Sequence, residues 1–344
     1  MEIVTQTLND AMVRTFILSV SAFLLAMMLT PIYTYLAYRH KFWKRQRTES
    51  TTGEELKVFT KLHENKFKRN IPTMAGMVFV LAIVLVTFFF NLDRRETWLP
   101  LAALAGGAVV GLIDDIINIR GGGKGVAGLR SWLKFLMIAT MGLVLGWFFY
   151  DKLDVVAVTV PFIGQWHLGW LIVPLFAFVV VATGNAVNIS DGLDGLAGGM
   201  ASIAFGSFGV ISILQGNVLM AGFCFTVVGS LLSYLWFNIY PARFFMGDVG
   251  SFALGASLGV VAMLTDTIFI LPIIGLLFVV EAGSSLIQIT SKKLFKRKVF
   301  ISAPIHHHLE ATGWPETKIT MRFWVIAAVT SFIGVMIAIA GGDV

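Results

Sequence analysis

Apolar residues in this chain run in long blocks instead of alternating or marking one face of a helix. A bilayer core needs about 20 consecutive, predominantly apolar residues per helix. Windows of that kind fall near residues 14–37, 72–90, 98–117, 131–150, 168–187, 197–215, 218–237, 251–265, 268–290 and 321–340. Ten membrane-spanning helices are therefore expected, of which the eighth is the weakest because it is short and glycine-rich. One connection departs from the helical pattern: Val155-Val-Ala-Val-Thr-Val-Pro161 alternates as a small β-hairpin would. No internal repeat or linker divides the blocks, so residues 1–344 read as one all-α integral-membrane domain.

Composition agrees. With 57% hydrophobic and 13% charged residues, the chain falls outside the soluble globular range. A soluble protein this apolar would expose large adhesive patches. The single cysteine, Cys224, allows no intramolecular disulfide and reads as a small packing residue. Glu2, Asp10 and Arg14 precede the first apolar block, with no basic n-region and no small-residue cleavage site. That block is expected to be a retained span and not a removed signal peptide.

The net charge of +6 matters less than its distribution. Ten lysines and arginines lie between Arg39 and Arg69, four between Arg120 and Lys134, seven between Lys292 and Arg322, and Arg243 adds another. The opposite side of the predicted topology holds only Arg14, Arg94, Arg95 and Lys152. By the positive-inside rule the basic side is cytoplasmic. Both termini are then extracytoplasmic, as an even number of spans requires, and the hairpin is extracytoplasmic too.

The polar islands lie on the basic side. The richest is Asn185-Ala-Val-Asn-Ile-Ser-Asp-Gly-Leu-Asp-Gly-Leu-Ala-Gly-Gly199, at the end of a span. In a helical turn Asn188, Asp191 and Asp194 recur every three residues and share one face. Ionisable groups at membrane depth are expensive and point to function. An N-cap would need one such residue, not four. The third span ends in Asp114-Asp115, adjacent carboxylates that raise at least one pKa or recruit a cation. Such a pair suits Mg²⁺ or a general base, with an acidic interfacial cap as the plainer reading.

Asp248 stands between Gly247 and Gly250, where a ligand or metal can approach closely. The neighbouring Phe245 offers a face on which a base can stack, whereas Phe244 reads as an interfacial anchor. Pro72 and Thr73 fit a helix start, just after Lys68 and Arg69, which can anchor lipid phosphates. Gly121-Gly-Gly-Lys-Gly125 lacks the Walker spacing and reads as a flexible loop. His306, His307 and His308 are wrongly spaced to ligate one metal together, so one or two are expected to contact phosphate or orient a carboxylate. Acids, lysines, amides and histidines gathered on one face suit a water-soluble phosphate ester meeting a lipid phosphate.

These motifs resemble the polyprenyl-phosphate N-acetylhexosamine-1-phosphate transferases over nearly the whole chain. The resemblance rests on Pro72-Thr-Met, Asp114-Asp115, Asn185-Ala-Val-Asn, Asp191-Gly-Leu-Asp-Gly-Leu, Phe245-Met-Gly-Asp and Pro304-Ile-His-His-His, the last being the most specific. It implies transfer of phospho-MurNAc-pentapeptide from its UDP carrier to undecaprenyl phosphate, yielding UMP and lipid I for peptidoglycan synthesis. The implied setting is the bacterial cytoplasmic membrane, with Mg²⁺ as cofactor, a homodimer as the assembly and no nucleic acid among the partners. By motif, Asp248 resembles the Mg²⁺ ligand, and Asp114, Asp115 and His306 the reacting set. Lys68, Lys134, Asn188, Asp191, Gly192, Asp194, Asn238, Phe245, His307 and His308 resemble the substrate-binding set. Departures are Asn70-Ile-Pro-Thr-Met-Ala-Gly76 in place of Gly-Thr-Pro-Thr-Met-Gly-Gly, and Asn118 where a lysine is common. A relative using UDP-GlcNAc is the rival enzyme. A secondary transporter is the rival class, though it should place polar groups near the midplane.

Overall fold

The computed structural model describes residues 2–43, 70–120 and 128–342. Its helices are α1 (Glu2–Arg39), α2 (Gly76–Phe90), α3 (Trp98–Arg120), α4 (Ser131–Leu153), α5 (Ile172–Ser190) and α6 (Leu196–Leu214). There follow α7 (Val218–Asn238), α8 (Gly247–Leu264), α9 (Leu271–Ile274), α10 (Leu276–Phe295), α11 (Ile305–Ala311) and α12 (Glu316–Ala340). Among the described residues, eight of the expected spans are helices long and apolar enough to cross a membrane. The chain is a multi-pass membrane protein.

The other two expected spans take different forms. The block at 72–90 gives only the 15-residue α2, which begins at Gly76 and not at Pro72. Tertiary pairing explains the late start. Phe245 N–H donates to the Pro72 carbonyl at 2.8 Å, and Ala75 N–H donates to the Phe245 carbonyl at 3.0 Å. Tyr33 OH also holds the Thr73 carbonyl at 2.6 Å. These bonds keep the proline segment extended against the loop before α8. The block at 268–290 is broken at Gly275, where α9 ends and α10 begins.

The short, glycine-rich block proves to be the centre of the bundle. Of the α8 window, 94% is buried, and α8 packs mainly against α3 and α5. Lipid tails are as apolar as leucine, so helices in a membrane associate through close packing of small residues. A Cβ at Gly111 of α3 would overlap the Asp248 carbonyl, and one at Gly255 of α8 would overlap the Thr183 carbonyl. The glycines that weaken α8 by hydropathy are what bring its backbone against its neighbours. Large apolar side chains on the periphery, such as Met28, Phe178, Trp236 and Phe332, face outward, as a lipid-exposed surface allows.

The expected hairpin forms: β1 (Ala157–Val160) pairs antiparallel with β2 (Gly164–His167), in the register Ala157↔His167 to Val160↔Gly164. It joins the end of α4 to the start of α5. The clustered polar side chains lie at the other end of the bundle, near the C-terminal ends of α3 and α5 and the N-terminal end of α8.

Candidate active site

Helix α3 delivers Asp114 and Asp115 to the core, and α8 delivers Asp248 from its first turn. Both α3 carboxylates are fully buried, Asp248 is nearly so, and oxygens of all three lie within 4.8 Å of one another. Backbone donors fix the orientation. Leu129 N–H donates to Asp114 Oδ1 at 2.6 Å, and Val249 N–H donates to Asp115 Oδ2 at 3.1 Å. Lys134, in the first turn of α4, places Nζ 3.2 Å from Asp248 Oδ2 and 3.4 Å from Asp114 Oδ2. The Lys134 ammonium also lies 5.7 Å from the Phe252 ring centre. Buried charges demand partners, and Lys134 is one for both Asp114 and Asp248.

The segment 185–199 forms the adjoining wall. Asn188 donates from Nδ2 to Ser251 Oγ at 2.8 Å, tying the end of α5 to the first turns of α8. Asp191 and Gly192 follow in a half-buried turn. Asp194 and Asn238, expected to bind substrate, serve as internal braces here. Asp194 Oδ2 accepts from Ala242 N–H at 2.9 Å, while its own N–H donates to Glu316 at 2.6 Å. Asn238 accepts from Gly195 N–H and donates to the Phe244 carbonyl, both at 2.9 Å. Their first effect is to fix the turn that carries Asp191 and Gly192.

The histidines divide by role. His306 is fully buried, with Nδ1 2.8 Å from Oε2 of the equally buried Glu281 on α10. Its ring stands against Gly192, where a Cβ would overlap Nε2. His307 pairs with Glu310 at 2.7 Å and stacks edge-on to His306, with ring centres 4.1 Å apart. Burial pushes the His307 pKa down to about 4; His306 acts in the same direction and Glu310 against it. His308 Nδ1 accepts from Ile301 N–H at 3.2 Å, so it braces its own loop. Within the chain, the carboxylate that His306 contacts is that of Glu281.

Two aromatic expectations separate. Phe244 is not an interfacial anchor: it is buried and packs edge-on to Tyr33, with ring centres 5.5 Å apart, and against Phe237. Apolar neighbours on α1 and α7 enclose it, which the sequence position alone does not show. Phe245 stays half-buried, its backbone paired with Pro72 and Ala75. Lys68 and the Gly121–Gly125 loop lie outside the described residues. Glu281 is the site residue that sequence reasoning passed over. Its signal was a lone acid within the apolar block Leu276-Leu-Phe-Val-Val-Glu-Ala282.

Fold and site together define an integral-membrane protein with a buried, metal-competent acidic centre at one end of its helix bundle. Residues 97–266 match the family model for glycosyl transferase family 4. The phospho-N-acetylmuramoyl-pentapeptide-transferase of Chloroflexus aurantiacus is 36% identical, over 99% of this chain and 94% of the relative. That of Chloroflexus aggregans is 36% identical over 100% and 94%, and that of Levilactobacillus brevis 40% identical over 81% and 87%. The chain belongs to the phospho-N-acetylmuramoyl-pentapeptide-transferase family.

Proposed function

We propose that this protein transfers phospho-MurNAc-pentapeptide from UDP-MurNAc-pentapeptide to undecaprenyl phosphate, releasing UMP and forming lipid I for peptidoglycan synthesis. The carrying observation is the carboxylate triad with Lys134 beside it, buried in a membrane bundle. The full-length similarity to relatives bearing that enzyme's name supports the same reading.

The residues present fit Mg²⁺. Three carboxylates within 4.8 Å of one another offer the hard oxygen donors this ion prefers. Asp248, with Asp114 and Asp115, would hold the ion, which when bound supplies charge neutralisation to the diphosphate.

The reaction on this reading is a direct displacement. A phosphate oxygen of undecaprenyl phosphate forms a bond to the β-phosphorus of the UDP-sugar. The bond from that phosphorus to the oxygen bridging to UMP breaks, and UMP leaves with that oxygen. An alkyl phosphate is already largely ionised at neutral pH, so Asp114 has little need to act as a strong base. Asn188, Asp191 and Gly192 line the nucleotide side, and His306 is held toward the turn by Glu281.

The proposal extends to topology and assembly. Ten spans, counting α2 and the broken α9–α10 segment, put both termini outside. The carboxylate end then faces the bacterial cytoplasm, where the water-soluble donor is found. A homodimer is the proposed assembly.

The test supplies purified full-length protein with undecaprenyl phosphate, Mg²⁺ and either UDP-MurNAc-pentapeptide or UDP-GlcNAc, and measures UMP. Release with the pentapeptide donor alone is expected. Release with UDP-GlcNAc alone would replace this donor assignment.

A further inference from the structure

From Val155 to Leu171 the chain carries no aspartate, glutamate, lysine or arginine. A connection this long between two membrane helices ordinarily meets water with polar turn residues. Here the turn of the hairpin presents Phe162 and Ile163, each 70% exposed, with Trp166 at 51% and Trp170 at 67%. Phe162 adopts φ 66°, a conformation that glycine or asparagine takes at far lower cost. The composition of this turn does not suit a loop immersed in water.

The hairpin is held firmly in place. Thr159 N–H and OH both donate to the Asp266 carboxylate, in the turn after α8. Phe162 N–H donates to the Gly341 carbonyl at the end of α12, at 3.4 Å. Trp166 meets Phe269 edge-on, with ring centres 6.3 Å apart. The α8–α9 connection and the end of α12 therefore orient one small apolar surface. With strands of four residues, at about 3.3 Å each, the tip stays within reach of the helix ends that anchor it. The ends of membrane-crossing helices are expected where a bilayer's headgroups begin, the depth that tryptophan and other amphipathic rings favour.

We propose that this hairpin is a bilayer-docking element. It seats Phe162 and Ile163 at the headgroup–acyl boundary of the leaflet remote from the carboxylate triad, with Trp166 and Trp170 at headgroup level. Its partner is the phospholipid interface, whose apolar depth takes the two tip side chains and whose polar layer takes the indole N–H groups. The inference is independent of the reaction assigned to the opposite end.

The test places an environment-sensitive fluorophore at the tip through Phe162→Cys, in the full chain reconstituted in phosphatidylcholine–phosphatidylglycerol nanodiscs. Cys224 is fully buried and remains unlabelled. Ile163→Cys serves as the second variant should the first fail to fold, and Lys152→Cys as the water-exposed reference. Expected is a blue-shifted emission at the tip, quenched more by shallow spin-labelled lipid than by aqueous iodide, with the reverse at position 152. Stronger iodide quenching at the tip would overturn the proposal. Protection from both quenchers would overturn it too, by showing that protein covers the tip.

Discussion

Lys134 reaches from the first turn of α4 to Asp248 in the first turn of α8, with Nζ 3.2 Å from Oδ2. The same ammonium stands 3.4 Å from Asp114, so one side chain bridges two of the three carboxylates. Lys134→Met keeps the length and removes the charge. Removing this cation from two largely buried carboxylates should destabilise the fold by about 2 kcal/mol, less than for a fully buried pair because Lys134 is 17% exposed. The triad should then bind divalent cations more tightly. Thermal unfolding with and without Mg²⁺, together with cation titration calorimetry, reads both. An unchanged midpoint and unchanged cation affinity would count against the bridge.

Glu281 and His306 make a buried polar pair at 2.8 Å. Glu281→Leu leaves the imidazole without this polar partner and should cost about 1–3 kcal/mol, whereas Glu281→Gln retains a polar partner and should cost less. The order of the two unfolding midpoints decides. Transfer activity should follow the same order, because the pair holds the ring against Gly192.

Gly192→Ala drives a Cβ into the His306 ring and should lower transfer activity by at least about tenfold, through a displacement near 1 Å. Gly283→Ala on α10 is the matched control. A Cβ there meets nothing within 4 Å, so a helix gain of about 0.5–1 kcal/mol and unaltered activity are expected. Equal activity in both variants would remove the steric argument.

His307 carries a pH dependence whose sign is fixed by its burial. An unfolded histidine titrates near 6.5, while the folded one is pushed down to about 4. Between those values only the unfolded chain takes up the proton. The stability held by neutral His307 is therefore complete above about pH 6.5 and is lost as pH falls toward 4, by up to about 3 kcal/mol. His307→Gln should flatten that part of the midpoint–pH curve. A curve of unchanged slope would show that another group titrates there.

Much of this was legible because a bilayer makes polar residues conspicuous. Asp114, Asp115 and Asp248 interrupt or border apolar blocks, and their convergence follows once alternate spans place them at one end. Glu281 gave the same kind of signal, but a long hydropathy window averages a single acid away. Hydropathy also undervalued α8, since the glycines that permit backbone contact carry no apolar side chain. The start of α2 at Gly76 was hidden for another reason: Phe245, 173 positions beyond Pro72, sets it by pairing across the fold. The bracing roles of Asp194 and Asn238 are likewise long-range, resting on Glu316, Ala242 and Gly195. Residue type marked both for the polar wall, and only the fold shows what their hydrogen bonds are spent on.

The central claim is that the carboxylate triad is the seat of a Mg²⁺-dependent transfer. Its most direct test is UMP release from UDP-MurNAc-pentapeptide and undecaprenyl phosphate by purified wild-type protein and by Asp248→Asn, across a Mg²⁺ titration. Far-ultraviolet circular dichroism on both proteins establishes that the variant is folded. The account predicts Mg²⁺-dependent release by wild type, and at least about a hundredfold loss in a folded Asp248→Asn that added Mg²⁺ does not restore. Full activity in that variant, or wild-type release indifferent to Mg²⁺ chelation, would contradict it.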